Sequence, residues 1–210
     1  MSLSNDGMMI VLSSPSGVGK TTLAKKLASL KKYQVSISYT TRKPRTNEKE
    51  GRDYYFISKD EFKNLIANNE LIEYAKVFDN YYGSSKSKVL NHLLNGNNVL
   101  FDIDWQGTEQ IKKQKLDYKL VTFFILPPTK KELFNRLSNR DMKDKLIVNE
   151  RMKKFNSDVL HWKDYDYAVI NDNLEKCCDE IIKYIESDKK EIEKKYKKDF
   201  IEKHVNSLIS

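Results

Sequence analysis

Cysteine is nearly absent: the 210 residues contain two, Cys177 and Cys178, side by side in a stretch with a helical pattern. Neighbouring side chains on a helix diverge, so the pair makes neither a disulfide framework nor a recognisable metal site, and a reducing compartment is expected. No apolar run approaches the length that spans a bilayer, and the start of the chain has no charged segment leading into a long apolar one. A soluble, cytoplasmic protein with no membrane partner is the expectation. Internal repeats and low-complexity blocks are lacking too. The length suits one sizeable α/β domain with insertions and is short for two independent domains. The net charge is +8 and the pI near 9.2. Much of that excess is Lys scattered over helical faces, without the Arg-aromatic stripe of a nucleic-acid footprint, so a solvated Lys-rich surface is expected and no nucleic-acid partner.

Residues 8–30 organise the rest. The apolar run Met8-Met9-Ile10-Val11-Leu12 predicts a strand, and Leu23, Leu27 and Leu30 recur with the spacing of a helix that has one apolar stripe. Between them lies Ser13-Ser14-Pro15-Ser16-Gly17-Val18-Gly19-Lys20-Thr21-Thr22. Its two glycines let the backbone curl until several N–H groups converge on one point, where the helix adds the positive end of its dipole. A polyphosphate fits there, with Lys20 reaching the β- and γ-phosphates and the Thr21 hydroxyl on a bridging Mg²⁺. The phosphate-loop pattern wants Gly six residues before Lys20, where this chain has Ser14. That loss is serious only if the position needs a positive φ.

Further along, residues 34–38 and 53–57 read as strands, with a polar loop holding Arg42 and Arg45 between them. Ser58-Lys59-Asp60-Glu61 has the capping-box form, opening a helix with Phe62, Leu65 and Ile66. Residues 71–78 read as extended, ending in a turn over 79–83, and residues 87–95 as a helix with Val89, Leu90, Leu93 and Leu94, stopped at Gly96. Residues 99–104 form an apolar strand that ends in Asp102 and Asp104, the form in which an acid holds Mg²⁺ or its waters. A helix over 105–115, a strand over 120–126 and a second capping box at Thr129-Lys130-Lys131-Glu132 follow, the last opening a helix that carries Arg136 and Arg140. Residues 141–149 are polar and without period, 150–162 are helical and contain Arg151, and 167–170 are the last strand, with Asn171 after it and then a helix. In the tail, Ile192, Tyr196 and Phe200 continue the spacing of Ile181 and Ile185, which predicts a solvated helix with one sticky face.

The charged groups suggest a second ligand. Two guanidinium forks, Arg42 and Arg45, with the phenols of Tyr54 and Tyr82 suit a monophosphate dianion. The strand-end carboxylates Glu73 and Asp104 can accept the two N–H groups of a guanine edge, a pair that adenine does not offer. Arg136, Arg140 and Arg151 can neutralise a transferred phosphoryl group from a lid.

The runs Ser13 to Thr22, Ser36-Ile-Ser-Tyr-Thr-Thr-Arg-Lys-Pro-Arg45, Gly51-Arg-Asp-Tyr54, Asn69-Glu-Leu-Ile-Glu73, Asn80-Tyr-Tyr-Gly-Ser84, Asp102-Ile-Asp-Trp-Gln-Gly107 and Val169-Ile-Asn-Asp172 closely resemble guanylate kinases, in order and spacing, over residues 8–186. The resemblance implies transfer of the ATP γ-phosphoryl to GMP with Mg²⁺. It implies that Ser38, Glu73, Ser84 and Asp104 read guanine, and that Arg42, Arg45, Tyr54 and Tyr82 hold the GMP phosphate. ATP would lie on the loop Ser14, Pro15, Ser16, Gly17, Val18, Gly19, Lys20, Thr21 and Thr22, with Asn171 near the adenine and Thr21 and Asp102 toward the metal. Lys20, Arg42, Arg136, Arg140 and Arg151 would be the catalytic cations. The implied architecture is α/β: a P-loop core with a parallel sheet flanked by helices (1–33, 85–128, 163–187), a small mixed GMP-binding insertion (34–84), a helical lid (129–162) and a charged helical tail (188–210). A non-catalytic binding module of this fold is the alternative, with a kinase for another small phosphate acceptor and a nucleic-acid-binding ATPase behind it. Monomer and homo-oligomer stay open.

Overall fold

The computed structural model describes residues 7–140, 145–189 and 197–210. In chain order the strands are β1 (Met9–Ser13), β2 (Gln34–Val35), β3 (Tyr39–Thr40), β4 (Tyr55–Phe56), β5 (Leu71–Val77), β6 (Asn80–Ser85), β7 (Val99–Asp102), β8 (Leu120–Leu126) and β9 (Tyr167–Ile170). The helices are α1 (Lys20–Lys31), α2 (Lys59–Ala67), α3 (Lys86–Leu94), α4 (Trp105–Gln114), α5 (Lys130–Arg140), α6 (Lys145–Asp158), α7 (Leu174–Lys189) and α8 (Lys198–Ile209), with a 3-10 segment at Val159–Asp164. One sheet has the order β2-β7-β1-β8-β9, and a second, mixed sheet has the order β4-β3-β6-β5. The chain divides into two compact units, Met1–Ile10 with Tyr33–Leu120 and Val11–Lys32 with Val121–Ser210.

In the first unit β2 and β7 pair in parallel, and Val99, Leu100 and Phe101 are fully buried, as a strand covered on both faces requires. The mixed sheet is built on the β5–β6 hairpin, whose partners run from Leu71↔Ser85 to Val77↔Asn80. Its turn is Phe78-Asp79, both with positive φ (46° and 63°), so the expected turn over 79–83 is wrong and Asn80–Ser85 is strand. The primed two-residue turn matches the twist of the flanking strands. At the start of α2 the Ser58 hydroxyl accepts the Glu61 N–H while the Glu61 carboxylate accepts the Ser58 N–H, the reciprocal capping expected. Phe62 is that helix's buried residue, while Leu65 and Ile66 are half-buried. The strands expected over 34–38 and 53–57 shrink to two residues each, in β2 and β4.

In the second unit β8 and β9 pair in parallel over Phe123↔Tyr167 to Leu126↔Ile170. The α1 stripe is Leu23, Ala24 and Leu27; Leu30, expected on it, is 55 % exposed. The N–H of Glu132 is capped by the Thr129 hydroxyl, but the Glu132 carboxylate pairs with Arg136, so the second capping box is used in one direction only. Residues 145–149, expected to be irregular, form the first turns of α6. The tail is a packed helix and not merely a solvated one: Ile201, Val205 and Leu208 of α8 are buried and Phe200 is 58 % exposed. His204 Nε2 lies 2.9 Å from the Pro127 carbonyl oxygen, and Lys163 pairs with Glu202 at 2.9 Å. Ile192 and Tyr196 lie outside the described residues.

Candidate active site

On the second unit, β1 is released into the loop 14–19, and α1 begins at Lys20 with Gly19 as its N-cap. Gly17 and Gly19 have φ of 89° and 98°, a region closed to ordinary side chains, and a Cβ would lie 2.6 Å from Leu137 Cδ2 and 2.8 Å from Asn171 Nδ2 respectively. Ser14 is not among the described residues with positive φ, so the left-handed requirement that would demand glycine there does not arise. No acidic residue stands in the first turn of α1, which leaves its positive end available to an anion. The loop is braced from the other side of the unit. Arg136 donates to the carbonyls of Val18 (3.0 Å) and Asn171 (3.2 Å) and to Glu132 (2.9 Å), and Asn171 Nδ2 donates to Val18 O (2.8 Å). Lys20 and Arg151 are partly exposed and Thr21 and Thr22 exposed. The side chain of Arg140 lies outside the described residues.

On the first unit, a buried polar chain crosses the mixed sheet. Glu73 on β5 is 3 % exposed and faces Ser84 on β6, whose hydroxyl donates to Oε1 at 2.6 Å, and the Ser84 and Ser38 hydroxyls are 3.5 Å apart. A bulge in β5 between Leu71 and Glu73 sets that register, placing Ile72 as the extra residue. Asp104 caps α4, with Oδ1 accepting from Gly107 N and Oδ2 from Gln106 Nε2, both at 3.1 Å. Tyr54 and Tyr82 meet edge to face at 5.9 Å, and the Arg42 guanidinium lies 5.4 Å from the Tyr54 ring centre. Burial, reinforced by the Asp102 carboxylate, pushes the Tyr54 phenol well above its ordinary pKa, so it remains a donor. Arg42 reaches Glu48 at 2.8 Å and Lys43 O at 2.7 Å, and Arg45 reaches Glu48 at 3.3 Å.

Thus Ser38, Glu73 and Ser84 form one connected group and Arg42, Arg45, Tyr54 and Tyr82 another, while Gly17, Val18, Gly19, Asn171 and Arg136 form a third. The sequence reading missed four residues that hold these groups in place. Glu48 joins the two arginines. Gly107 leaves room for the Glu73 carboxylate, since a Cβ there would meet Oε2 at 2.3 Å. Gln110 brackets the Tyr74 backbone, accepting from its N–H at 3.0 Å and donating to its carbonyl at 2.5 Å, and Gln114 donates to the Ile72 carbonyl. Gly107, Gln110 and Gln114 recur at i, i+3 and i+7, so the sequence puts them on one helix face but does not show what that face holds. Among the described residues no cluster of three or more His, Cys, Asp or Glu can hold a metal by itself, and no helix is long and apolar enough to cross a membrane.

The family model described as guanylate kinase matches residues 6–188. The chain is 46% identical over 171 residues to a guanylate kinase of Blochmanniella floridana, covering 80% of each protein. It is 44% identical over 204 residues to one of Bartonella henselae, covering 97% of this chain and 90% of that one. A crystal structure of guanylate kinase from Anaplasma phagocytophilum superimposes with a TM-score of 0.74 at 34% identity, covering 89% of this chain and 88% of the other. A family match over nearly the whole chain, near relatives of similar length and a shared fold leave one reading: the chain belongs to the guanylate kinase family.

Proposed function

We propose that the protein transfers the γ-phosphoryl group of ATP to GMP, giving ADP and GDP. The observation that carries this reading is the mixed sheet of the first unit. It holds a buried carboxylate beside two serine hydroxyls and, on its other strands and loop, two arginines and two tyrosines. The first set suits the N–H edge of guanine and the second a phosphate dianion. Glu73 and Asp104, with Ser38 and Ser84, bind the base, and Arg42, Arg45, Tyr54 and Tyr82 bind the phosphate. The loop 14–19, through the backbone N–H groups of all its residues but Pro15, binds the ATP phosphates with Lys20 and Thr22, Asn171 borders the adenine, and Arg136, Arg140 and Arg151 neutralise the transferred group. In domain terms, 34–84 is the GMP-binding insertion, 129–162 the lid and 188–210 an added tail.

The fit of a metal follows from its donor needs. Mg²⁺ keeps several waters and takes substrate phosphates with one or two protein oxygens, so the lack of a protein-only cluster among the described residues suits an ion that arrives with ATP. Thr21 and Asp102 are the residues that would hold it, and it would neutralise charge on the β- and γ-phosphates. A GMP phosphate oxygen attacks the γ-phosphorus, and the bond to the oxygen that stays with ADP breaks. No strong base is required, because the transition state needs alignment and charge neutralisation. ATP and GMP as soluble substrates fit a cytoplasmic setting.

The test is ADP release from Mg-ATP with GMP, AMP, UMP, CMP or no acceptor, for the wild type and Lys20→Ala. GMP-dependent turnover that Lys20→Ala abolishes is expected. Turnover that is equal with all acceptors, or that persists in the variant, overturns the assignment.

A further inference from the structure

Three donors converge on one carboxylate of the first unit that the reading above leaves without a role. Glu48 Oε1 accepts from Arg42 Nη2 at 2.8 Å and from Arg45 Nη1 at 3.3 Å, and Oε2 accepts from the Arg45 backbone N–H at 2.8 Å. The Glu48 N–H in turn donates to Arg45 O at 3.0 Å, closing a tight turn over 45–48 that fixes where the carboxylate points. The Glu48 and Arg42 side chains are each 15 % exposed, so the pair is largely shielded from water. With Arg42 Nη1 on the Lys43 carbonyl, two of the three nitrogens of that guanidinium are occupied. The third, Nε, is buried and without a hydrogen-bond partner. Leaving a buried donor unmet is costly, and a phosphate oxygen that met it on binding would remove that cost.

Electrostatics point the same way. Two guanidiniums sharing one oxygen would repel each other without the negative charge between them, and their long side chains would spread over many rotamers. Burial works against charge on Arg42, but the hydrogen bond to Glu48, the Tyr82 phenol and the Glu48 charge together raise its pKa above the ordinary value. Burial also pushes Glu48 up, but the hydrogen bonds from Arg42 and the Arg45 N–H, with both positive charges, bring it below the ordinary carboxylate value. Arg42 and Glu48 are therefore both charged at neutral pH, and with the second guanidinium beside them the set presents one net positive charge to an incoming dianion.

We propose that Glu48 is the positioning carboxylate of the acceptor-phosphate site, holding Arg42 and Arg45 together before the acceptor arrives and leaving Arg42 Nε for a phosphate oxygen. This deepens the reading of Arg42 and Arg45 as GMP-phosphate ligands and rests on it. Glu48 touches no substrate; it acts by removing the ordering cost that two loose arginines would otherwise charge against binding.

The test is calorimetric titration of GMP, guanosine and Mg-ATP into the wild type, Glu48→Gln, Arg45→Ala and the double variant. Gln preserves shape and removes charge. In Glu48→Gln, GMP is expected to weaken by roughly 10- to 100-fold while guanosine and Mg-ATP stay within about twofold, and the loss should shrink in the Arg45→Ala background. Unchanged or tighter GMP binding, or equal loss of GMP and guanosine, overturns the proposal. If Glu48→Gln does not fold, Glu48→Asp is scored by the same GMP-to-guanosine ratio: a fall supports the proposal and an unchanged ratio overturns it. A wild type that binds guanosine as well as GMP would refute the phosphate ligands themselves, whereas a wild-type preference for GMP that survives in Glu48→Gln refutes Glu48 alone.

Discussion

Gly107→Ala separates stability from base recognition in a single methyl group. Gly107 is buried in the first turn of α4, with an ordinary helical backbone that alanine adopts freely, and its N–H is already satisfied by Asp104. Propensity alone therefore favours the variant, by about 0.5–1 kcal/mol. Against this, the new Cβ would lie 2.3 Å from Glu73 Oε2 and 3.1 Å from its Cδ, well inside contact distance. The carboxylate has to retreat by most of an ångström, yet the Ser84 hydroxyl holds its other oxygen at 2.6 Å and the glutamines of α4 bind the backbone on both sides of Glu73. Overpacking of this kind costs about 1–3 kcal/mol, so net stability should fall by no more than about 2.5 kcal/mol. A displaced carboxylate would forfeit the charge-assisted bonds proposed between it and guanine, worth about 1.5–3 kcal/mol, or roughly a 10- to 150-fold loss of GMP affinity. Thermal melting with GMP and Mg-ATP titrations measures all three quantities. GMP affinity within twofold of wild type would refute the role of Glu73 at the base. A parallel loss of Mg-ATP would show that Gly107 serves folding instead.

Two further outcomes concern the second unit. Burial pushes the Cys177 thiol up to about 12, so the native state keeps a proton that the unfolded chain releases near pH ~8.5. Stability should then fall from about pH 8.5 toward pH 12 by at most about 1.4 kcal/mol per pH unit for this group; urea midpoints of Cys177→Ala should decline less over pH 8–10, and parallel curves would refute this. Ile201→Ala empties a 5 %-exposed position on α8 and should cost about 2–4 kcal/mol, a melting shift of roughly 4–15 °C; an unchanged melting point would mean that α8 is not packed in solution.

Much of the fold was legible because local patterns decide it. The apolar runs of β8 and β9 were read to the residue, and the Ser58 capping box acts as its spacing implies. Where the reading failed, context decided. The β5–β6 turn has no glycine or proline, and Phe78 and Asp79 accept positive φ because the strands on either side are paired. Leu30, Leu94 and Phe200 keep helical spacing but sit at or beyond the edge of the buried face, which periodicity alone does not mark. In the acceptor site the direct candidates were recognisable by residue type. Glu48, Gly107, Gln110 and Gln114 were not, since each acts through another residue. Gln110 and Gln114 lie 36 and 42 positions from the backbone groups they hold.

The two proposed nucleotide sites also differ in what their sequences must preserve. The phosphate loop works through backbone N–H groups, so most of its side chains are free to vary, and constraint falls where a Cβ has no room or φ is positive. Gly17 against Leu137 and Gly19 against Asn171 meet both conditions. Ser14 does not require a positive φ, which is why the loop's conformation survives the departure from glycine. The acceptor site works through side chains on a sheet whose faces alternate every residue. A one-residue slip of β5 against β6 would turn Glu73 away from Ser84 and remove the group proposed to read the base, while leaving the hairpin intact. The bulge at Ile72 and the α4 glutamines oppose that slip, because their bonds to the Ile72 and Tyr74 backbone exist in one register only. The proposed base site therefore depends on register as much as on its ligands, and α4 supplies the register.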